Sequence, residues 1–196
     1  IREQSEEELL AHAGLREEED IFAPIMDSVK NRWAWLAINL VTAFFASRVI
    51  GAFEGSIEKL VALAALMPIV AGIGGNSGNQ TMTMIIRALA MGRITGRNLW
   101  PLVKREMTIT LMVGLCGSLM AALFAWIISR SFAVAFVMMA AMICNMLVGA
   151  GIGVLVPMLR ARFGRDPAIG SSVLLTFATD SLGFFIFLGL ATIFLL

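Results

Sequence analysis

The chain has 196 residues, of which 59% are hydrophobic and only 15% charged, and its formal net charge is +1. Soluble domains carry about 25% charged residues, so a soluble globular domain is excluded and an integral membrane protein is expected. Near-neutrality conceals a polarity, because nine of the fourteen acids lie in residues 1–27. Residues 1–20 are acidic rather than basic and apolar, the opposite of a cleavable signal. No Cys/His spacing suggests zinc, iron or haem, and nothing points to a nucleic-acid partner.

Residues 1–31 read as a soluble, acidic segment, set apart from the apolar remainder over 32–196. Ser5 and Glu8 form a capping-box pattern, Gly14 is a helix stop, and His12 reads as a solvated surface residue. Ile21, Ile25 and Val29 then recur at helical spacing, joined by Phe22, Met26 and Trp33, with Pro24 restricting where the helix starts. This pattern predicts a short acidic helix followed by one lying at or near the membrane surface.

Five apolar segments follow, over roughly Trp33–Gly51, Lys59–Ile86, Leu102–Ile128, Phe132–Leu159 and Ala168–Leu196. Each meets or approaches the ~20 residues that cross a hydrocarbon core. The expected fold is therefore all-α, with five transmembrane helices. Loop charge orients them: Lys30, Arg32, Arg87, Arg93, Arg97, Lys104, Arg105, Arg160, Arg162 and Arg165 fall on one side, against Arg48, Lys59 and Arg130 on the other. The positive-inside rule makes the N-terminus cytoplasmic and the C-terminus external. An odd span count without a visible internal repeat argues against a single-chain inverted-repeat transporter. A symmetric homodimer, the commonest closed assembly, would bring ten helices together. Cys116 and Cys144, in separate apolar segments, are expected as buried thiols with packing roles.

The last segment carries Asp180 near its middle. A charge at that depth costs about 3 kcal/mol on insertion scales, and intramembrane carboxylates are functional by default. Ser172, Thr176 and Gly183 share its helical face. The alternatives are a polar seam against another helix and an ion or proton site. The second segment contains GIGGNSGNQ, Gly72 to Gln80, shortly after Pro68. Glycine lets backbone approach closely or unwind, and unwound backbone at membrane depth lines a wet cavity or is buried. Gly74 and Gly78 also fit small-xxx-small helix packing, but packing alone does not require Asn76, Asn79 and Gln80. Gly72, Gly74, Gly75, Asn76 and Asn79 are accordingly pore-lining candidates, with Ser172, Thr176 and Gly183 of the last segment. Gly149, Gly151 and Gly153, near Asn145, read as helix packing. An acid and a set of amide and carbonyl oxygens suit a hard divalent cation, and magnesium in particular usually keeps several waters. Glu54 and Glu58, at the external end, read either as solvated loop acids or as a cation lure. Glu106, flanked by Lys104 and Arg105, is expected to snorkel or pair at the cytoplasmic interface.

FEGSIEKLVALAALMPIVAGIGGNSGNQTMTMIIRALAMGRI, Phe53 to Ile94, resembles the membrane domain of the MgtE family of magnesium channels. The Phe-Glu pair, Gly74 to Gln80, Ile85 to Ala90, the DPA at Asp166 to Ala168, and Thr179-Asp180 with Gly183 carry the likeness, which extends over about residues 15–196. The resemblance implies a homodimer with a central pore lined by the second and fifth spans. Two Asp180 carboxylates would bind hydrated Mg²⁺, the transported ion, with backbone oxygens from the glycine-rich stretch and the last span. It also implies a plug helix at roughly 21–31 and, in longer relatives, cytosolic N and CBS domains that sense Mg²⁺. Those domains are not in this sequence, and its acidic start resembles the tail of the last CBS domain, as in a fragment of a longer protein. Ser172 departs from the pattern, since some relatives carry Asn there. The function expected is magnesium uptake across the plasma or inner membrane by a non-enzymatic channel. A Na⁺- or H⁺-coupled exchanger is the alternative. An intramembrane aspartyl protease needs a carboxylate pair, and each chain has one deep acid. A purely structural anchor leaves Gly72 to Gln80 and Asp180 without purpose.

Overall fold

A computed structural model describes residues 24–94 and 99–196, and these are helical with no strand among them. The capping box at Ser5 and Glu8, Gly14, His12, Ile21, Phe22 and Arg97 lie outside the described residues. Six helices follow in order: α1 Ile25–Gly51, α2 Glu54–Lys59, α3 Ala62–Ala90, α4 Leu99–Ser129, α5 Phe132–Arg162 and α6 Ser171–Leu195. Four of them, α1, α4, α5 and α6, are long and apolar enough to cross a membrane. The fifth long helix, α3, has 29 residues, ample length for a crossing, but its Gly72 to Gln80 stretch dilutes its apolar character.

Local chemistry sets the helix ends. α3 and α5 both stop in a turn closed by two backbone bonds. Gly92 N–H donates to Leu89 O at 2.9 Å and Arg93 N–H to Ala88 O at 2.9 Å. Gly164 and Arg165 do the same to Ala161 O and Arg160 O, at 3.1 and 3.0 Å. This pairing requires a left-handed residue after the last helical one, and Gly92 and Gly164 supply it at φ 63° and 67°. α5 begins at Ser131, whose Oγ accepts from Val134 N–H. Before α6, the Asp166 carboxylate accepts from Ala168 N–H at 2.8 Å, and Arg160 Nε donates to Asp166 O at 2.9 Å. The DPA sequence is thus a tied turn between two helices.

α5 is the hub, packed against α3, α4 and α6, while α1 leans on α6. The main core gathers Leu66 and Val70 of α3, Ala121 and Ala125 of α4, Met138 and Met142 of α5, and Phe187 and Leu188 of α6. Among its described side chains α1 contributes one buried residue, Ala46. Edge-on ring pairs hold it and the following turn to α6, Phe45 with Phe177 at 6.2 Å and Phe53 with Phe185 at 5.8 Å. The apolar outer faces of α1 and α4 suit a lipid environment, where a protein need not hide its apolar side chains from solvent.

Three expectations are modified. The helix expected at the membrane surface before Trp33 and the first apolar segment are one continuous rod from Ile25 to Gly51. Cys116 and Cys144 are exposed rather than buried. Each lies on the outward face of a helix that is apolar all round, and such a helix carries no directional signal for which face turns inward. The stretch Gly72 to Gln80 is not unwound but helical throughout. Glycine in a helix costs up to about 1 kcal/mol, less than freeing backbone groups at membrane depth, and here its missing Cβ is used for packing.

Candidate functional site

Two faces of α3 divide the labour. Gly74 and Gly78 are buried against α5. A Cβ placed on Gly78 would lie 2.9 Å from Gly149 O and 2.6 Å from Leu175 Cδ1. One on Gly149 would lie 2.6 Å from Gly74 O, and one on Gly153 2.6 Å from Gly78 O. The two backbones therefore touch, Gly74-x-x-x-Gly78 against Gly149-x-x-x-Gly153, a contact that small residues alone permit. The packing expected for the α5 glycines holds at Gly149 and Gly153, whereas Gly151 faces Met107 of α4.

Asn145 continues that α5 row one turn earlier. It is fully buried, and its Nδ2 donates to Val70 O at 2.9 Å. Its amide fills the space that a Cβ on Gly74 of α3 or Gly183 of α6 would need. One side chain thus wedges between the two helices that carry the polar residues. Gly74 and Gly183, both pore-lining candidates, accordingly face Asn145 inside the bundle rather than its open surface. Among the described residues Asn145 Oδ1 has no hydrogen-bond partner. The sequence signal for this role was an amide four residues before Gly149, which reads as packing without revealing its partners.

The other face of α3 is open. Gly72 and Asn76 are exposed and Asn79 half-buried, at helical spacing with Thr83. Asn76, Asn79, Gln80, Thr83 and Met84 line an open cavity of about 560 Å³. No heavy atom lies within 4 Å of a Cβ placed on Gly72. Gly75 is half-buried and turned toward α6, where Thr179 Oγ1 would be 3.6 Å from its Cβ. Thr179 is buried and donates back to Leu175 O at 3.0 Å. Asp180, the next residue, is half-buried, and no ion pair or hydrogen bond from the described residues engages its carboxylate. Thr176 is exposed one turn before it, and Ser172 half-buried one turn earlier again. Ser172, Thr176 and Asp180 thus form a polar edge on α6, and Gly75 with Thr179 marks where α6 meets the polar part of α3.

A second carboxylate lies beside α3. Glu106 of α4 is buried and pairs with Arg105, Nη1 to Oε1 at 3.1 Å, the pairing expected for it. Glu106 and Thr110 share a cavity of about 220 Å³ with Ser77, Gln80 and Thr81 of α3. Gln80 borders this cavity and the open one alike. Glu54 and Glu58 sit on α2, exposed, without contact to either cavity.

The sequence that carries these residues is similar to that of known proteins. The profile of the MgtE family, described as a divalent cation transporter, matches residues 67–190. That stretch includes every site candidate from Gly72 to Gly183. Proteins named magnesium transporter MgtE from Bacillus subtilis, Thermus thermophilus and Enterococcus faecalis are 29%, 32% and 26% identical over 164, 169 and 177 residues. The alignments cover 84%, 84% and 90% of this chain but 36%, 36% and 39% of those proteins. The chain therefore spans little more than a third of the length of these curated relatives. With a profile match over more than half of its residues, the chain belongs to the MgtE family of divalent cation transporters.

Proposed function

We propose that this chain forms a Mg²⁺-selective pathway across the cell membrane, with Asp180 as its cation-binding group. The observation that carries the reading is the Asp180 carboxylate: half-buried in an apolar helix, without a counter-charge among the described residues, beside a helix whose open face is lined with amides. A carboxylate at that depth is costly unless water or a cation neutralises it. Asn76 and Asn79 offer amide oxygens, while the α3 backbone carbonyls are engaged in a continuous helix. Side chains that reach a hydrated ion through its water suit magnesium, which gives up its shell reluctantly. Binding of that kind is also weak enough to release the ion for conduction.

In this reading α3 is the fifth membrane crossing and two chains pair. Their α3 and α6 edges face each other, and two Asp180 carboxylates act on one ion. The surplus of basic residues at the α3–α4 and α5–α6 turns puts those turns and the N-terminus in the cytoplasm. If the chain belongs to a longer protein, as the length of its relatives suggests, residues 1–31 join the pore to that protein's cytosolic regulatory domains. The names of the relatives support magnesium as the cargo.

The test is Mg²⁺ entry into dye-loaded liposomes carrying the chain, with no other ion gradient, for the wild type beside Asp180→Asn. Flux in the wild type and its loss in the variant is the expected result. Equal flux in both refutes the assignment of Asp180. Silence relieved only by an imposed Na⁺ or H⁺ gradient replaces the channel with a coupled exchanger.

A further inference from the structure

We propose that a groove between α4 and α5 binds one acyl chain of an anionic phospholipid, with the headgroup phosphate on Arg162. This inference rests on the bilayer placement of the helices, and not on the identity of the transported ion. The groove measures about 700 Å³ and is walled by Val103 and Met107 of α4, Gly151, Leu155 and Met158 of α5, and Leu182 of α6. Its interior is apolar. Gly151 keeps it open, since the nearest neighbour of a Cβ there would be Met107 Cε at 3.6 Å.

The lip of the groove is different. It is formed by Leu99, the first residue of α4, and Arg162, the last of α5. α4 and α5 are antiparallel neighbours joined at Arg130 and Ser131, so these two ends share one side of the bundle. Arg162 is exposed there, and Trp100 and Phe163, each 75% exposed, flank the lip. Aromatic residues favour the membrane–water boundary, and basic pockets between helices on the cytoplasmic side receive anionic lipid headgroups. Around the lip, the first two turns of α4, the end of α5 and the turn after it carry Lys104, Arg105, Arg160, Arg162 and Arg165 against Glu106 and Asp166, with Glu106 already paired to Arg105.

Dimensions select the occupant. From Arg162 to Val148 the groove follows fourteen residues of α5, a rise of about 21 Å. One leaflet of the hydrocarbon core is about 15 Å deep, so the groove reaches from the interface to the bilayer centre. There it meets Leu182, two residues beyond Asp180. A groove of that length, apolar within and basic and aromatic at its lip, matches one lipid tail below an anionic headgroup.

The experiment is native mass spectrometry of the chain released from bilayers of equal phosphatidylglycerol and phosphatidylcholine. The wild type is expected to retain phosphatidylglycerol about fivefold over phosphatidylcholine, the preference expected of one basic residue at the membrane surface. Arg162→Gln, at an exposed position, should abolish that preference. Leu155→Trp, at a residue 51% exposed, should fill the groove and reduce retention of both lipids. Equal retention of the two lipids by the wild type overturns the proposal, as does a Leu155→Trp chain that retains them unchanged. Disulfide-linked dimers of Leu155→Cys, made in a chain with the exposed Cys116 and Cys144 replaced by Ser, would assign the groove to a second copy and also overturn it. None of these readouts depends on ion flux, so they stand or fall apart from the Asp180 assignment.

Discussion

Asn145 donates to the Val70 carbonyl at 2.9 Å from a fully buried position, tying α5 to α3 beside their glycine contact. Because that bond holds the amide in place, neither Gly74 nor Gly183 can gain a side chain without displacing it. Gly183→Ala brings a Cβ to 2.5 Å from Asn145 Nδ2. It should cost about 1–3 kcal/mol, as overpacking does, read as a fall in the thermal midpoint in detergent. Asn145→Ala in the same chain should recover most of that loss. No recovery would mean that α6 itself, rather than the amide, resists the methyl.

The backbone contact between α3 and α5 is less forgiving. Gly149→Ala directs its methyl at Gly74 O, a backbone atom 2.6 Å away. Backbone cannot rotate aside as a side chain can, so the cost should be at the upper end, about 3 kcal/mol. Gly72→Ala is the matched control. It meets nothing within 4 Å and should gain about 0.5–1 kcal/mol from helix propensity. Thermal midpoints of the two variants in one detergent decide the matter.

The Arg105–Glu106 pair is unequal, with side chains 63% and 10% exposed. Removing the arginine strands a nearly buried carboxylate, whereas removing both charges does not. Arg105→Ala should therefore destabilise by about 1–3 kcal/mol. Arg105→Ala with Glu106→Gln should stand close to the wild type. Lys104→Ala, exposed and outside the pair, should change little. A double-mutant cycle on thermal unfolding measures the coupling, and additive single effects would show that the pair contributes nothing.

Asn76 and Asn79 face the open cavity rather than the core. Replacing both with Ala should leave the thermal midpoint within about 0.5 kcal/mol of the wild type, as surface substitutions do. Liposomal Mg²⁺ flux, by contrast, should fall about tenfold, through loss of two hydrogen-bonding groups worth about 0.5–1.5 kcal/mol each. Unchanged flux would remove Asn76 and Asn79 from the pathway.

Much of this architecture was legible beforehand. The apolar segments locate α3 to α6 within a few residues of their ends, because span length and hydropathy are local properties. The deep acid at Asp180, the amides at Asn76 and Asn79 and the small-residue pair Gly74 and Gly78 are visible for the same reason. The pairing of Glu106 followed from the adjacent Arg105. What the chain alone did not disclose is direction. Gly74 and Gly75 are neighbours in sequence, yet one faces Asn145 and the other Thr179.

The sequence by itself determined that this protein is a set of apolar helices with a carboxylate and a glycine–amide stretch at depth. Hydropathy and turn chemistry depend on residues close along the chain, so they survive without a fold. The tertiary structure decided that the glycine stretch stays helical, that Cys116 and Cys144 face outward and that Asn145 wedges α3 from α6. It also left the amide face of α3 open while turning the Gly74 face inward. Those outcomes depend on contacts between residues as far apart as Val70 and Asn145. A helix that is apolar all round carries no moment from which such contacts can be read.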